Sequence, residues 1–130
     1  MFQGCYNLEY LDLSNFNTEK VKDMQCMFYK SSRLKEIKGI NNFKTFNVIN
    51  MKGMFNYCIE LEYLELSNFD TSNVIDMQFM FNFCNKLKKI KGINNFNTTN
   101  VTNMKGMFKE CYELKYLDLS NFNTSNVTDM

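Results

Sequence analysis

Residues 107–130 read MFKECYELKYLDLSNFNTSNVTDM, and variants of this phrase fill the whole chain. The pair Met-Phe opens each variant, at Met1, Met27, Met54, Met80 and Met107. Internal repetition at a period of about 20–50 residues is typical of solenoids and other repeat arrays. The sequence therefore predicts a single array over residues 1–130, built from five units of 26 or 27 residues.

Apolar residues occupy the same positions in every unit, and each such set of equivalent positions is called a column here. The most regular columns are Leu8, Leu34, Leu61, Leu87 and Leu114; Phe16, Phe43, Phe69, Phe96 and Phe122; and Met24, Met51, Met77, Met104 and Met130. We expect them to form an elongated core in which the Phe16 column stacks as a spine. Methionine fills irregular gaps well, so the Met columns are interpreted as core rather than as a copper site.

Two periodicities coexist within one unit. Met104, Met107, Phe108 and Cys111 have the spacing of one helix face. Leu117 and Leu119 alternate with a polar residue, as in a strand, and an Asn, Ser and Thr-rich segment follows. Each unit is thus predicted to be a short strand, a polar turn and a short helix. Stacked units would give an α/β fold with a parallel sheet on one side and short helices on the other.

Units two and four each contain an extra glycine, Gly39 and Gly92, which creates a super-repeat of 53 residues. Glycine accepts backbone angles that other residues avoid, so a bulge beside the strand is the favoured interpretation. A ligand that approaches bare backbone is the alternative.

The outward position of the predicted strands alternates in charge along the array. It holds Asp12, Lys38, Glu65, Lys91 and Asp118. Parallel strands lie about 4.8 Å apart, so in-register stacking would give each charge opposite neighbours on both sides.

Composition excludes several functional classes. The net charge is only +1, which argues against nucleic-acid binding. No apolar run reaches the roughly 18 residues of a membrane span, so this segment is not expected to insert into a bilayer. Histidine is absent and no two cysteines are closely spaced, so we predict no metal, no cofactor and no enzymatic activity.

The remaining polar columns have structural interpretations. Cys5, Cys58, Cys84 and Cys111 share a column with Ser31 and are expected to be buried, reduced thiols, because helices pack too far apart for a disulfide. The Asn columns are expected to satisfy turn backbone, with a carbohydrate- or ion-binding ladder as the alternative. Neither end of the sequence has the polar cap that a solenoid needs, so we expect it to be part of a longer array whose signal or anchor lies elsewhere.

The phrase LxxLDLSNFxTSNVxDMxxMFxxCxxL spans residues 61–87, with Glu65 in the Asp position, and recurs across 114–130. It resembles the BspA-like leucine-rich repeats, in particular the surface-protein repeat of mycoplasma lipoproteins. The glycine insertions, Ser31 and Lys20 depart from the pattern. The resemblance implies a right-handed, leucine-rich-repeat-like solenoid, displayed on the cell surface, that binds or adheres to host or matrix proteins. It brings no catalytic residue with it.

The leading hypothesis is therefore a non-catalytic surface recognition module that binds a protein through its exposed sheet face. The predicted face is Tyr10, Asp12, Glu36, Lys38, Tyr63, Glu65, Lys89, Lys91, Tyr116 and Asp118. A structural spacer or self-assembling filament is the second hypothesis, favoured by near-identical repeats, with a further copy of the chain as partner. An intracellular, cytoplasmic scaffold is the third, because five free cysteines suit a reducing compartment.

Overall fold

The computed structural model describes residues 1–130 and contains four three-residue strands and two single-turn 3₁₀ helices. The strands are β1, Tyr10–Asp12; β2, Glu36–Lys38; β3, Tyr63–Glu65; and β4, Lys89–Lys91. The 3₁₀ helices, Ile40–Asn42 and Ile93–Asn95, follow β2 and β4. Neither helix is long and apolar enough to cross a membrane.

We number the repeats one to five, at residues 1–26, 27–53, 54–79, 80–106 and 107–130. Parallel strand pairing joins repeat one to repeat two, with Tyr10 opposite Glu36, and repeat three to repeat four, with Tyr63 opposite Lys89. No strand ladder joins β2 to β3. The sheet is thus divided after every second repeat, whereas the sequence predicted one continuous sheet, and each two-stranded sheet corresponds to one 53-residue super-repeat.

A second line of backbone contacts crosses all five repeats without a break. It consists of parallel bridges that link Asp23, Asn50, Asp76, Asn103 and Asp129 in turn. Beside it, the amide of Ile49 donates to the carbonyl of Lys22, and the amide of Ile75 donates to that of Ile49, both at 2.9 Å. These contacts keep successive repeats in register where the strand ladder is interrupted.

The Met-Phe segments do not form the helices that their spacing predicted; this part of the prediction is wrong. In repeat two, the amides of Tyr29 and Ser31 bond carbonyls three residues earlier, which makes a chain of overlapping turns. The intervening amide of Lys30 instead donates to the carbonyl of Asn56 in the next repeat, at 2.9 Å. An α-helix directs its amides along its own axis to carbonyls four residues back, so it could not make this inter-repeat bond.

Left-handed backbone conformations prevent these turns from closing into a helix. Two residues four positions apart have positive φ in each segment: Cys26 and Lys30, Gly53 and Tyr57, Phe79 and Phe83, Gly106 and Glu110. Right-handed helices exclude such angles for side-chain-bearing residues. The side chains of Met24, Met27 and Phe28 are nevertheless buried, so the helical spacing predicted burial correctly while the backbone is different.

A column of stacked phenylalanine rings runs through the core. It comprises Phe2, Phe28, Phe55, Phe81 and Phe108, with ring centroids 5.4–5.7 Å apart and planes within 11° of parallel. The prediction that the Phe16 column forms the stacked spine is therefore wrong, although Phe43, Phe69 and Phe96 of that column are buried. Each stacked pair adds about 0.5–1.5 kcal/mol beyond the area it buries.

The extra glycine of each even repeat packs against the backbone of the preceding odd repeat. Gly39 has φ of 78°, and a Cβ placed on it would lie 2.5 Å from both Cα and N of Ser14. Gly92 meets Ser67 in the same way. The neighbouring repeat itself, rather than a ligand, thus occupies the space beside the bare backbone.

We predict that Gly39→Ala lowers the free energy of unfolding by more than about 3 kcal/mol, since it adds a backbone clash to an unfavourable φ. Gly4→Ala is the matched control, because Gly4 also has positive φ (72°) but its nearest neighbours are Tyr6 ring atoms at 3.7 Å. The control should cost only about 1–2 kcal/mol. Urea unfolding followed by circular dichroism measures both; equal losses would contradict the proposed backbone contact.

Candidate interaction surface

The strands place eight of the ten predicted surface residues on one face. In each strand the first and third side chains point outward, while the central Leu11, Ile37, Leu64 or Ile90 turns toward the core. Tyr116 and Asp118 occupy the equivalent positions of repeat five, outside any strand. The structure thus brings the strand residues together as predicted and leaves the last two at one end of the row.

Opposite charges on this face are paired within each two-stranded sheet. Lys38 Nζ lies 2.9 Å from Asp12 Oδ2, and Lys91 Nζ lies 2.8 Å from Glu65 Oε2. No ion pair joins Lys38 to Glu65 across the gap between the sheets. The expectation of opposite neighbours on both sides is therefore met on one side only.

Hydrogen bonds favour the ionised form of the acidic members of these pairs. Ser14 and then Lys38 hold the pKa of Asp12 well below its usual range. At Glu65, partial burial opposes ionisation, but hydrogen bonds from Lys91, Ser67 and the Tyr63 hydroxyl prevail and lower the pKa to about 2. Both acids are therefore ionised at neutral pH, and each is neutralised by its lysine partner.

The tyrosines are the large exposed groups of the face and occur only in odd repeats. Tyr10, Tyr63 and Tyr116 are 63%, 46% and 80% exposed. The Lys35 ammonium lies 5.9 Å from the Tyr10 ring centre, and the Tyr63 hydroxyl donates to Glu65 at 3.1 Å. These contacts restrain two of the three rings, while their outer faces remain available to a partner.

Two further surfaces escaped sequence reasoning. One is a groove beside exposed Ile49 and Ile75, with Asn47, Asn73 and Asn100 along it. The column of Ile49 and Ile75 also holds Lys22 and Thr102, so it is less uniform than the core columns. The other is an apolar recess of about 620 Å³ on the outer face of repeat five. The apolar residues that line this recess have equivalents that are buried core residues in repeats two to four, so the sequence alone does not distinguish the recess from core.

The cysteine column serves as a column of hydrogen-bond donors. The buried thiols of Cys58 and Cys84 donate to the carbonyls of Phe28 and Phe55, at 3.2 and 3.1 Å. Ser31 takes the same role with its hydroxyl, which donates to Phe2 at 2.7 Å. Burial raises the pKa of Cys58 and Cys84, and all five cysteines are free. The prediction of burial is confirmed for these two positions, whereas Cys5 and Cys111 of the same column, which lie in the end repeats, are only half-buried.

The Asn columns bridge consecutive repeats, as predicted for turn backbone. The side-chain amides of Asn95 and Asn121 donate to the carbonyls of Ser67 and Asn94 in the preceding repeat, at 3.2 and 2.8 Å. This geometry confirms the structural role of the Asn95 column.

A family model described as "Mycoplasma protein of unknown function, DUF285" matches residues 1–92 and residues 64–130. The chain belongs to this family. The two matches overlap at residues 64–92, so the DUF285 model covers every repeat. No curated protein and no solved structure matches the chain.

We predict that Glu65→Gln reduces the loss of stability in acid. A carboxylate whose pKa is depressed in the folded state stabilises the fold above its unfolded pKa, and that stability is lost as the pH falls toward its folded pKa. The affected window therefore extends from about pH 4.5 down to about pH 2. Thermal melts of the wild type and the variant across this window measure the effect. Glu36→Gln, at a glutamate without an ion pair, is the matched control, and a control as strong as Glu65→Gln would contradict the assignment.

We also predict selective thiol labelling. A small maleimide should modify the half-buried Cys5 and Cys26 in the folded protein and leave Cys58 and Cys84 unmodified until the protein is denatured. Peptide mass spectrometry measures the labelling, and fast native modification of Cys84 would contradict the buried donor column.

Proposed function

We propose that this DUF285 chain is a non-catalytic recognition module of the cell surface that binds a protein partner through its strand face. The proposal includes a BspA-like, leucine-rich-repeat-like solenoid as the fold. The observation that carries the proposal is the row of exposed tyrosines, Tyr10, Tyr63 and Tyr116, which lies outside the core yet recurs at one position of the odd repeats.

Repeat-to-repeat bonding supports the solenoid. Hydrogen bonds connect equivalent positions of neighbouring repeats, such as Phe28 to Met54 and Phe55 to Met80, both at 2.9 Å. The core Phe column runs in the same direction. An extended stack of this kind presents one long face, which is the surface that solenoid proteins use for binding.

The chemistry of the face favours contact area over electrostatic attraction. Asp12 and Glu65 are neutralised by Lys38 and Lys91, so little net field extends from the strands. Tyrosine combines a large apolar ring with a polar tip and is enriched among residues that dominate interface energies. The tyrosines recur on alternate repeats, an arrangement that suits a protein surface spanning several repeats.

Surface display is tested by protease shaving of intact source cells. We expect peptides of this array to be released while cytoplasmic marker proteins stay inside. If the peptides appear only after lysis, and are then cut by the same protease, the intracellular scaffold becomes the leading function.

Binding is tested with the labelled 130-residue protein on host cells and on immobilised matrix proteins. The triple variant Tyr10→Ala, Tyr63→Ala, Tyr116→Ala should weaken binding at least about tenfold, because truncation of a central interface tyrosine commonly costs more than about 1 kcal/mol.

The matched control is Tyr6→Ala with Tyr112→Ala, since these tyrosines are 57% and 72% exposed but lie away from the strand positions. Equal loss in both variants, or saturable binding that the triple variant leaves unchanged, would contradict the proposed face. Failure of the wild type to bind any surface would favour the spacer function.

A further inference from the structure

The formal charge of the repeats alternates strongly along the stack. Repeats one to five carry −2, +5, −5, +5 and −2. Repeat four has five lysines and no acidic residue, and repeat three has five acidic residues and no lysine or arginine. The near-zero net charge of the chain thus conceals acidic odd repeats and basic even repeats.

The contact between an odd repeat and the even repeat that follows it differs from the contact between that even repeat and the next odd repeat. Six of the seven ion pairs cross from odd to even, including Glu60 to Lys86 and Glu62 to Lys88. Only Lys105 to Asp129 crosses from even to odd. The strand pairing and the close approach of Gly39 or Gly92 also occur only at odd-to-even contacts. We call the face of a repeat that meets the next repeat along the chain its upper face. The upper face of each odd repeat is therefore complementary to a basic, glycine-bearing repeat.

Repeat five is an odd repeat whose upper face is uncovered. Phe108 stacks on Phe81 at 5.5 Å with one side of its ring, while Leu119 and Phe122 line the recess on the other side. The amide of Leu119 has no backbone acceptor, whereas the equivalent amide of Leu66 donates to Lys91 of the next repeat at 2.9 Å. The Phe108 ring, the recess and the unbonded Leu119 amide thus correspond to the groups that an odd repeat contributes to an odd-to-even contact.

The charged residues at the rim of this face also correspond to those of an odd-to-even contact. Glu113 and Asp118 take the positions of Glu60 and Glu65, which pair with lysines of repeat four. Lys115 stands in the place of Glu62 and is the one mismatch.

We propose that the outer face of repeat five is a docking surface for a basic, glycine-bearing repeat of the kind formed by residues 27–53 and 80–106. The occupant supplies lysines to Glu113 and Asp118, a carbonyl to the Leu119 amide, and a bare glycine backbone over Ser120. This inference concerns the end of the stack and does not depend on the strand face.

A second copy of this chain does not fit the surface. Both of its uncovered ends, repeats one and five, are acidic, and end-to-end stacking would oppose charges of −2 and −2. Repeat one also has no glycine equivalent to Gly39. The same charge pattern disfavours a filament made from copies of this chain alone.

Two extensions of the full chain test the proposal. The basic extension adds a copy of residues 78–106 after Met130, and the acidic extension adds a copy of residues 52–79 at the same point. Each begins with the two residues that precede Met-Phe, so both continue the register of the Met130 column. They differ in charge and in the strand-side glycine.

We expect the basic extension to protect the Leu119 amide from hydrogen exchange and to melt at least about 5 °C higher than the acidic extension. Lys115→Glu should widen this difference, and 1 M salt should narrow it. Equal melting temperatures with equal protection of Leu119 would overturn the proposal. Protection of Leu119 in the unextended chain, together with concentration-dependent oligomers in sedimentation, would also overturn it by making a second copy the occupant.

Discussion

Backbone amides that point along the stack are the constraint on which the rest of the structure depends. In the first four Met-Phe segments alternate amides, such as those of Cys26 and Phe28, find their acceptors in the next repeat. Buried amides must be bonded, so one repeat cannot satisfy its own backbone and is completed by its neighbour. Equivalent residues are then held directly above one another, and every side chain must be compatible with its own counterpart.

This stacking explains why polar columns are as uniform as apolar ones. Buried Thr18 accepts a bond from the Lys44 amide at 2.8 Å and donates to the Lys44 carbonyl at 3.2 Å. The cysteine column likewise requires a donor, and Ser31 shows that a hydroxyl satisfies the requirement. A buried polar side chain at a repeated position is therefore selected by the carbonyl or amide of the adjacent repeat, at a cost of about 1–3 kcal/mol if that bond is lost.

Sequence patterns predicted burial and strand positions better than backbone conformation. Alternation of apolar and polar residues located the strands of repeats one to four, because period two has few other structural meanings. The spacing of Met24, Met27 and Phe28 identified buried residues but not the turns, since overlapping turns direct the same side chains inward. Gly53 and Gly106 were the signal for left-handed backbone, and it was weak because Cys26 and Phe79 occupy equivalent positions.

Which Phe column stacks could not be read from the sequence, because both columns are invariant and both are buried in repeats two to four. The strand face was predictable in membership but not in its electrostatics. The charges of Asp12, Lys38, Glu65 and Lys91 alternate evenly in sequence, yet the structure pairs them two by two. The break in strand pairing lies where a 27-residue repeat is followed by a 26-residue repeat, and even charge alternation in the sequence gives no sign of it.

Alternation gives the array a means of specifying the order of its repeats. A chain of identical units can slip by one repeat without losing contacts, whereas here a slip would oppose +5 to +5 or −5 to −2 and would place Leu66 where a bare glycine is required. Like charges and steric clashes are the devices by which proteins exclude alternative pairings. The same alternation spaces the exposed tyrosines two repeats apart, so the register that orders the core also fixes the geometry of the outer face.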